Sequence, residues 1–258
     1  MSLKPSLQPA PIDNHLLASL PADVWSELRP QLDWVSLRVG MTLHEAGVVF
    51  SHAVFPTTAT VSLVSSMKNG ASSEVAVVGN EGVVGVCAFM AGGVSLTSAL
   101  VQSAGHGLRM KATAIDSAAK RSGPLMQALL RYTQALFMQM AQTSACNRHH
   151  GLEQRLCRWL LTHHDRGQGD ELLATQERIA GMLGARREGV TAGAFKLQQA
   201  GVIGYSRGRI TVLDRAGLEA RSCECHDVIK GAHDRLRQSP AGQPRRAEAM
   251  AWASRLAA

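Results

Sequence analysis

Thr175-Gln-Glu-Arg-Ile-Ala-Gly-Met-Leu-Gly-Ala-Arg-Arg-Glu-Gly-Val-Thr-Ala-Gly-Ala-Phe-Lys-Leu-Gln-Gln-Ala-Gly-Val-Ile203 is the stretch that decides how the second half of this 258-residue chain folds. Ile179, Met182 and Leu183 share one face of a first helix, and Val190, Ala194 and Leu197 share one face of a second. Gly184 stands between them, where a glycine can take the positive φ that ends a helix and lets the chain reverse within three or four residues. Thr175 is placed to cap the first helix, and Glu177 to favour its positive end. The spacing predicts a helix-turn-helix.

The second helix opens with Arg186, Arg187 and Glu188 while its apolar residues turn inward, so its first turn is free to enter a groove. Arginine can bond bidentately to guanine O6 and N7, a carboxylate can accept from cytosine N4, and a threonine such as Thr191 can meet a phosphate or a thymine methyl. A helical hairpin with a solvated charged turn produces the same local pattern. The next segment of chain separates the two readings. Gly201-Val-Ile-Gly-Tyr-Ser-Arg-Gly-Arg-Ile-Thr-Val-Leu213 predicts two short strands around a turn at Ser206 to Gly208, a wing with Arg207 and Arg209 at its tip. Cations there can hold backbone phosphates without reading sequence.

These residues resemble the Crp-Fnr superfamily of bacterial transcription regulators: Leu183-Gly184 before the turn, Arg187-Glu188 at the start of the recognition helix, and Val190 after them. The resemblance runs over nearly the whole chain. It implies an α+β fold: an N-terminal double-stranded β-roll (jelly roll) over residues 14–120, a long dimerisation helix over 121–150, a winged helix-turn-helix over 151–230, and a weakly ordered tail over 231–258. It also implies a cytoplasmic homodimeric regulator without enzymatic activity. The implied partners are a palindromic double-stranded DNA site and, further, RNA polymerase. Arg187 and Glu188 occupy the family's principal base-reading positions, and Thr175, Gln176, Arg186, Thr191, Lys196, Arg207 and Arg209 complete the expected DNA-binding set. Two departures stand out. Ala192 occupies a position often held by a base-contacting arginine, and Arg186 one where a serine or threonine cap is common.

Charge agrees with a polyanion partner. Of the net +7, residues 151–258 hold 17 Lys and Arg against 12 Asp and Glu, and residues 1–150 hold 10 against 8. Gly82 to Leu108 carries no charged side chain and is long enough to span a bilayer, but its six glycines and several Ser and Thr fit turns between buried strands better. The N-terminus lacks a basic region followed by a cleavable apolar core. No membrane association is expected, and five cysteines without disulfide spacing suit a reducing compartment.

Between Asp33 and Ile115 short apolar runs such as Thr60-Val-Ser-Leu-Val and Glu74-Val-Ala-Val-Val alternate with glycines, as expected for antiparallel strands of a roll. Asn14 to Leu32 predicts a short helical lead-in, and residues 1–12 a loose arm. In the family this roll senses a small effector, and cyclic-nucleotide binders carry a Gly-Glu pair and an Arg-Ser-Ala element. Here the corresponding stretches are Gly82-Val83 and Thr97-Ser98-Ala99, which marks Val83, Val84, Thr97 and Ser98 as effector-pocket candidates. Without the arginine nothing neutralises a buried phosphate, so tight cyclic-AMP binding is not expected, and the effector itself is not readable.

No cofactor is predicted. The first 86 residues lack cysteine, against an N-terminal iron-sulfur cluster, and Cys87 and Cys146 read as structural. Haem would have to use His44, His52 or His106, each alone in sequence. No His/Glu set suggests a cupin. Cys223-Glu-Cys225-His226 is the most metal-like cluster but does not make a recognised four-ligand site, so no metal ligands are assigned. A haem- or metal-dependent sensor whose helix-turn-helix serves protein contacts is the alternative reading.

Leu125, Leu129, Tyr132, Leu136 and Met140 follow helical spacing in a stretch free of glycine and proline from Leu125 to His150. A helix packing on its own domain gives this pattern, and the resemblance implies a partner subunit covering the stripe. Gly151 is the expected hinge before a helix from Leu152 to His164. His149-His150 and His163-His164 read as solvated helix ends. Ala247 to Ala258 could form a short helix in the tail.

Overall fold

The computed structural model describes residues 13–90 and 93–237. The lead-in is α1 (His15–Ala18), α2 (Ala22–Leu28) and a 3-10 turn. Asn14 caps α1 by accepting from the Leu17 amide, and its own amide donates to the carbonyls of Pro56 and Gly82. The lead-in is thereby tied to the roll.

The roll contains β1 (Asp33–Leu37), β2 (Thr42–His44), β3 (His52–Pro56), β4 (Thr60–Ser66), β5 (Ser72–Val78), the short helix α3 (Cys87–Met90), β6 (Ser98–Ser103) and β7 (Gly105–Lys111). They form two antiparallel sheets, ordered β1-β7-β3 and β2-β6-β4-β5. Then come α4 (Ala112–Arg121) and the 27-residue α5 (Gly123–His149). Ser122 caps α5, with Pro124 in its first turn where a missing N–H costs nothing.

The roll's core, built on Leu37, Phe55, Val61, Val78, Val101 and Met110, continues into Leu125, Leu129, Tyr132 and Leu136 of α5. The stripe expected to meet a partner subunit is therefore covered by this chain's own roll. The physical reason is close approach: a Cβ on Gly82 would lie 2.0 Å from Tyr132 Cε2, so the glycine lets α5 lie directly on the sheet. The face left open on α5 carries Leu130, 50% exposed, and Phe137, 60% exposed, seven residues apart.

After Gly151 the chain forms α6 (Leu152–His164), β8 (Glu171–Leu173), α7 (Gln176–Leu183), α8 (Arg187–Gln199), β9 (Ile203–Ser206), β10 (Arg209–Val212), α9 (Arg215–Arg221) and α10 (Cys225–Arg237). A second core holds Leu156, Trp159 and Leu160 of α6 against Ile179, Leu183, Val190, Leu197, Ile210 and Leu218. Its sheet is β8-β10-β9.

The two cores touch. Val64 of β4 packs into the second, and Arg178 of α7 donates to the Val101 carbonyl at 3.1 Å. Arg166, just past α6, pairs with buried Glu81 at 2.8 Å. Burial alone would raise the Glu81 carboxyl, but Arg166, His233 and the Gly79 amide hold it below its ordinary value. His163 is buried rather than a solvated helix end, and it also pairs across the domains.

The tail expected to be weakly ordered from residue 231 is helical through Arg237. Ile229, Ala232 and His233 of α10 are buried, and the His233 ring lies 3.0 Å from Gln139 of α5. Residues 1–12 and 238–258, with the arm and the short helix expected there, lie outside the described residues. No described helix is long and apolar enough to cross a membrane.

Candidate nucleic-acid interface

Each stop and start of the helix-turn-helix has a local cause. Thr175 Oγ1 accepts from the Arg178 amide at 3.2 Å, a cap of the kind worth about 1 kcal/mol. Gly184 closes α7 at φ 57°, ψ 43°, the left-handed conformation that favours glycine. Arg155 of α6 donates to the Leu183 carbonyl, satisfying an end of α7 that no helical N–H reaches. Arg186 occupies the N-cap of α8 without a side-chain cap bond, as its chemistry requires.

The apolar residues read as inward are inward: Ile179, Met182, Leu183, Val190, Ala194 and Leu197 are all buried. Arg186, Arg187, Glu188 and Thr191 are exposed on the opposite side of α8. Phe195 lies at the middle of the same outward face and is 58% exposed, a large apolar group that sequence reasoning passed over. Its signal was available: at seven and eight residues from Glu188 and Arg187 it shares their face, not that of Val190 and Leu197.

Gln176 sits beside the recognition helix, its Oε1 accepting from Thr191 Oγ1 at 2.6 Å. Thr175, Gln176, Glu177, Arg187, Tyr205 and Gly208 line one concavity between α7, the start of α8 and the wing. The wing is the predicted hairpin, turning through Arg207 and Gly208, both at positive φ (50° and 78°). Its third strand, β8, pairs with β10 and was not read from the sequence. Tyr205 donates to the Ala174 carbonyl at 3.3 Å, and burial lifts its phenol above its ordinary pKa.

Three expected DNA-binding cations have acidic neighbours. Arg187 lies 4.0 Å from Glu177, Lys196 lies 3.4 Å from Glu153, and Arg209 lies 3.2 Å from Glu171. All six side chains are well exposed, and such pairs contribute little, so a phosphate can replace the carboxylate at small cost.

The effector-pocket candidates lie on opposite sheets. Val83 and Val84 are buried, Val84 bridging to Val54 of β3, whereas Ser98 pairs with Val64 of β4 and Thr97 precedes it. The three haem candidates stand apart, each with its own partner: His44 with the Thr97 carbonyl, His52 with Ser51, and His106 stacked on Trp34. Burial lowers the pKa of His44, and also of His52, where Arg109 adds to it.

The cysteine-rich end is arranged differently from its sequence. His226 turns away to donate to Asp165 at 2.9 Å. In its place Cys146 and His150, from the end of α5, join Cys223 and Cys225, with all four ligand atoms within 4.8 Å of one another. Hydrogen bonds from the Cys223 and Cys225 thiols hold Cys146 well below the usual thiol range, and Cys225 is correspondingly raised.

Residues 154–221 match the family of Crp-like helix-turn-helix domains. A comparison with curated protein sequences found no match. Among solved structures, a transcriptional regulator of the Crp/Fnr family from Eubacterium rectale is similar at 18% identity and TM-score 0.63, over 80% of this chain and 96% of that one. FixK2 from Bradyrhizobium japonicum is similar at 15% identity and TM-score 0.64, over 74% and 98%. A Crp-family transcriptional regulator from Thermus thermophilus is similar at 19% identity and TM-score 0.61, over 73% and 96%. Residues 154–221 thus carry a Crp-like helix-turn-helix domain, and the fold of the chain is similar to that of these Crp/Fnr-family regulators.

Proposed function

We propose that this protein is a homodimeric, sequence-specific DNA-binding transcription regulator whose α8 enters the major groove. The observation that carries the reading is the division of α8: Val190, Ala194 and Leu197 are buried, while Arg186, Arg187, Glu188, Thr191 and Phe195 are exposed on the other side. Arg187 and Glu188 read bases, Thr191 and Phe195 meet base edges or thymine methyls, and Thr175, Gln176, Lys196, Arg207 and Arg209 hold phosphates.

The second subunit docks on the open face of α5 through Leu130 and Phe137. Two-fold symmetry then sets two recognition helices about 34–36 Å apart, one turn of DNA, and the target is palindromic. An effector held by the roll biases the contacts that tie roll to winged domain. Those at Glu81–Arg166 and Val101–Arg178 support such coupling because they are specific and partly or fully buried.

A gel shift with the DNA upstream of the protein's own gene tests the base-reading assignment. Arg187→Ala and Glu188→Ala should each weaken binding by roughly 5- to 150-fold, the equivalent of about 1–3 kcal/mol per lost base contact. Unchanged binding by both variants overturns it.

A further inference from the structure

We propose that Cys146, His150, Cys223 and Cys225 form a closed Cys3His site for one tetrahedral divalent cation, zinc, where the end of α5 meets the start of α10. The sequence brings two ligands from one helix end, four residues apart, and two from a Cys-x-Cys turn 77 residues beyond Cys146. Only the fold makes them one cluster.

The spacing suits a single ion. Zinc–sulfur bonds of about 2.3 Å and zinc–nitrogen bonds of about 2.0–2.1 Å set tetrahedral edges of roughly 3.4–3.8 Å. Here Cys146 Sγ lies 3.5 Å from Cys223 Sγ, and Cys225 Sγ lies 3.5 Å from His150 Nδ1. No ligand atom is further than 4.8 Å from another, too tight for the wider thiolate spacing of a multi-iron cluster. Four protein ligands leave no open position, the mark of a structural rather than a catalytic zinc.

The surroundings are those of a metal site. His150 Nε2 lies 3.3 Å from Glu224 Oε1, and a carboxylate on that side favours the tautomer that leaves Nδ1 free to ligate. Gln142 Nε2 donates to Cys225 Sγ at 3.1 Å. Three thiolates, a neutral imidazole and a divalent ion sum to one negative charge. Arg158 is 4% exposed, pairs with none of the described carboxylates and acts on Cys146 as a nearby positive charge, so it supplies the compensating charge. On binding, each ligating thiol yields its proton to solvent, the ion forms three Zn–S bonds and one Zn–N bond, and no oxidation or reduction occurs.

The test uses the full chain purified under reducing conditions. Elemental analysis should find one zinc per chain, and cobalt(II) titrated into metal-stripped protein should give the intense thiolate-to-cobalt charge-transfer bands of a tetrahedral sulfur-rich site. Cys223→Ser and Cys225→Ser should lose the metal, and Cys87→Ser, outside the cluster, should retain it. Glu224→Gln changes only an exposed side chain and should weaken zinc binding about 10- to 100-fold with the fold intact, as loss of a histidine-orienting carboxylate does. Sub-stoichiometric zinc together with no cobalt charge-transfer band overturns the proposal. So does zinc bound equally well by the Cys223→Ser/Cys225→Ser double variant, and so does a disulfide within the cluster of the metal-free, freshly purified chain.

Discussion

His163 Nε2 donates to Glu74 Oε2 at 3.0 Å, joining α6 of the winged half to β5 of the roll. Both side chains are almost wholly buried, and Glu74 also accepts from Ser62 Oγ at 2.5 Å. Removing either partner strands the other in a dry interface. Glu74→Ala should therefore cost about 2–4 kcal/mol in urea unfolding. The double variant Glu74→Leu/His163→Leu should cost less than the sum of the singles, by about 1 kcal/mol or more, and strict additivity would show that the two side chains do not act as a pair.

Phe137 is the larger of the two apolar groups on the open face of α5. Phe137→Glu would put a charge where a second subunit is proposed to pack, and light scattering should report a monomer at micromolar concentration. Phe137 is exposed, so the fold should be kept and circular dichroism unchanged. A dimer of undiminished stability would move the interface elsewhere.

Arg207 stands at the wing tip with φ 50°, an uncommon conformation for a residue with a side chain. Arg207→Gly relieves that conformation while removing one of the cations proposed to hold phosphate. The fold should be kept or slightly stabilised. DNA binding should weaken by a similar factor for specific and random sequences, and the salt slope should fall by about one. A loss confined to the specific site would mean that Arg207 reads bases.

Asp165, just past α6, is held at a pKa of about 2 against an ordinary 3.8. Burial pushes it up, but hydrogen bonds from His226 and Arg215 outweigh that and favour the carboxylate. Because the folded value is the lower one, the stabilisation is complete above about pH 4 and is lost as pH falls toward 2. Its full size is on the order of 2 kcal/mol. Asp165→Asn should flatten the stability–pH curve over that window, and an unaltered curve would assign the acid sensitivity to other carboxylates such as Glu81.

The helix-turn-helix was legible because its signals are local. Thr175, Gly184 and the two apolar faces lie within 23 residues of one another, and every residue read as inward is buried. The strands of the roll were legible from the same kind of short-range pattern, Thr60 and Glu74 both falling in the strands their runs suggested. Periodicity on α5 marked an apolar face but not which body covers it. Leu125, Leu129, Tyr132 and Leu136 went to the roll, and Leu130 and Phe137 were left outside. β8 has three residues, too few for any period to declare itself. The cysteine cluster was hidden for the opposite reason: Cys146 looked solitary, and His226 stood beside Cys225 in sequence but pairs with Asp165 in space.

The path of the chain has one mechanical consequence. Among the described residues it leaves the N-terminal body once, at His150-Gly151, and returns once, between Cys223 and Cys225, to lay α10 along α5. Those two crossings touch, His150 against Cys225 at 3.5 Å. A rotation of the winged domain about that one point would stretch neither crossing. The same rotation would carry Arg207 and α8 with it and would have to break Glu74–His163, Glu81–Arg166 and Val101–Arg178 and pull Val64 out of the second core first. The covalent chain therefore does little to oppose turning α8, and the resistance resides in the contacts between the two bodies.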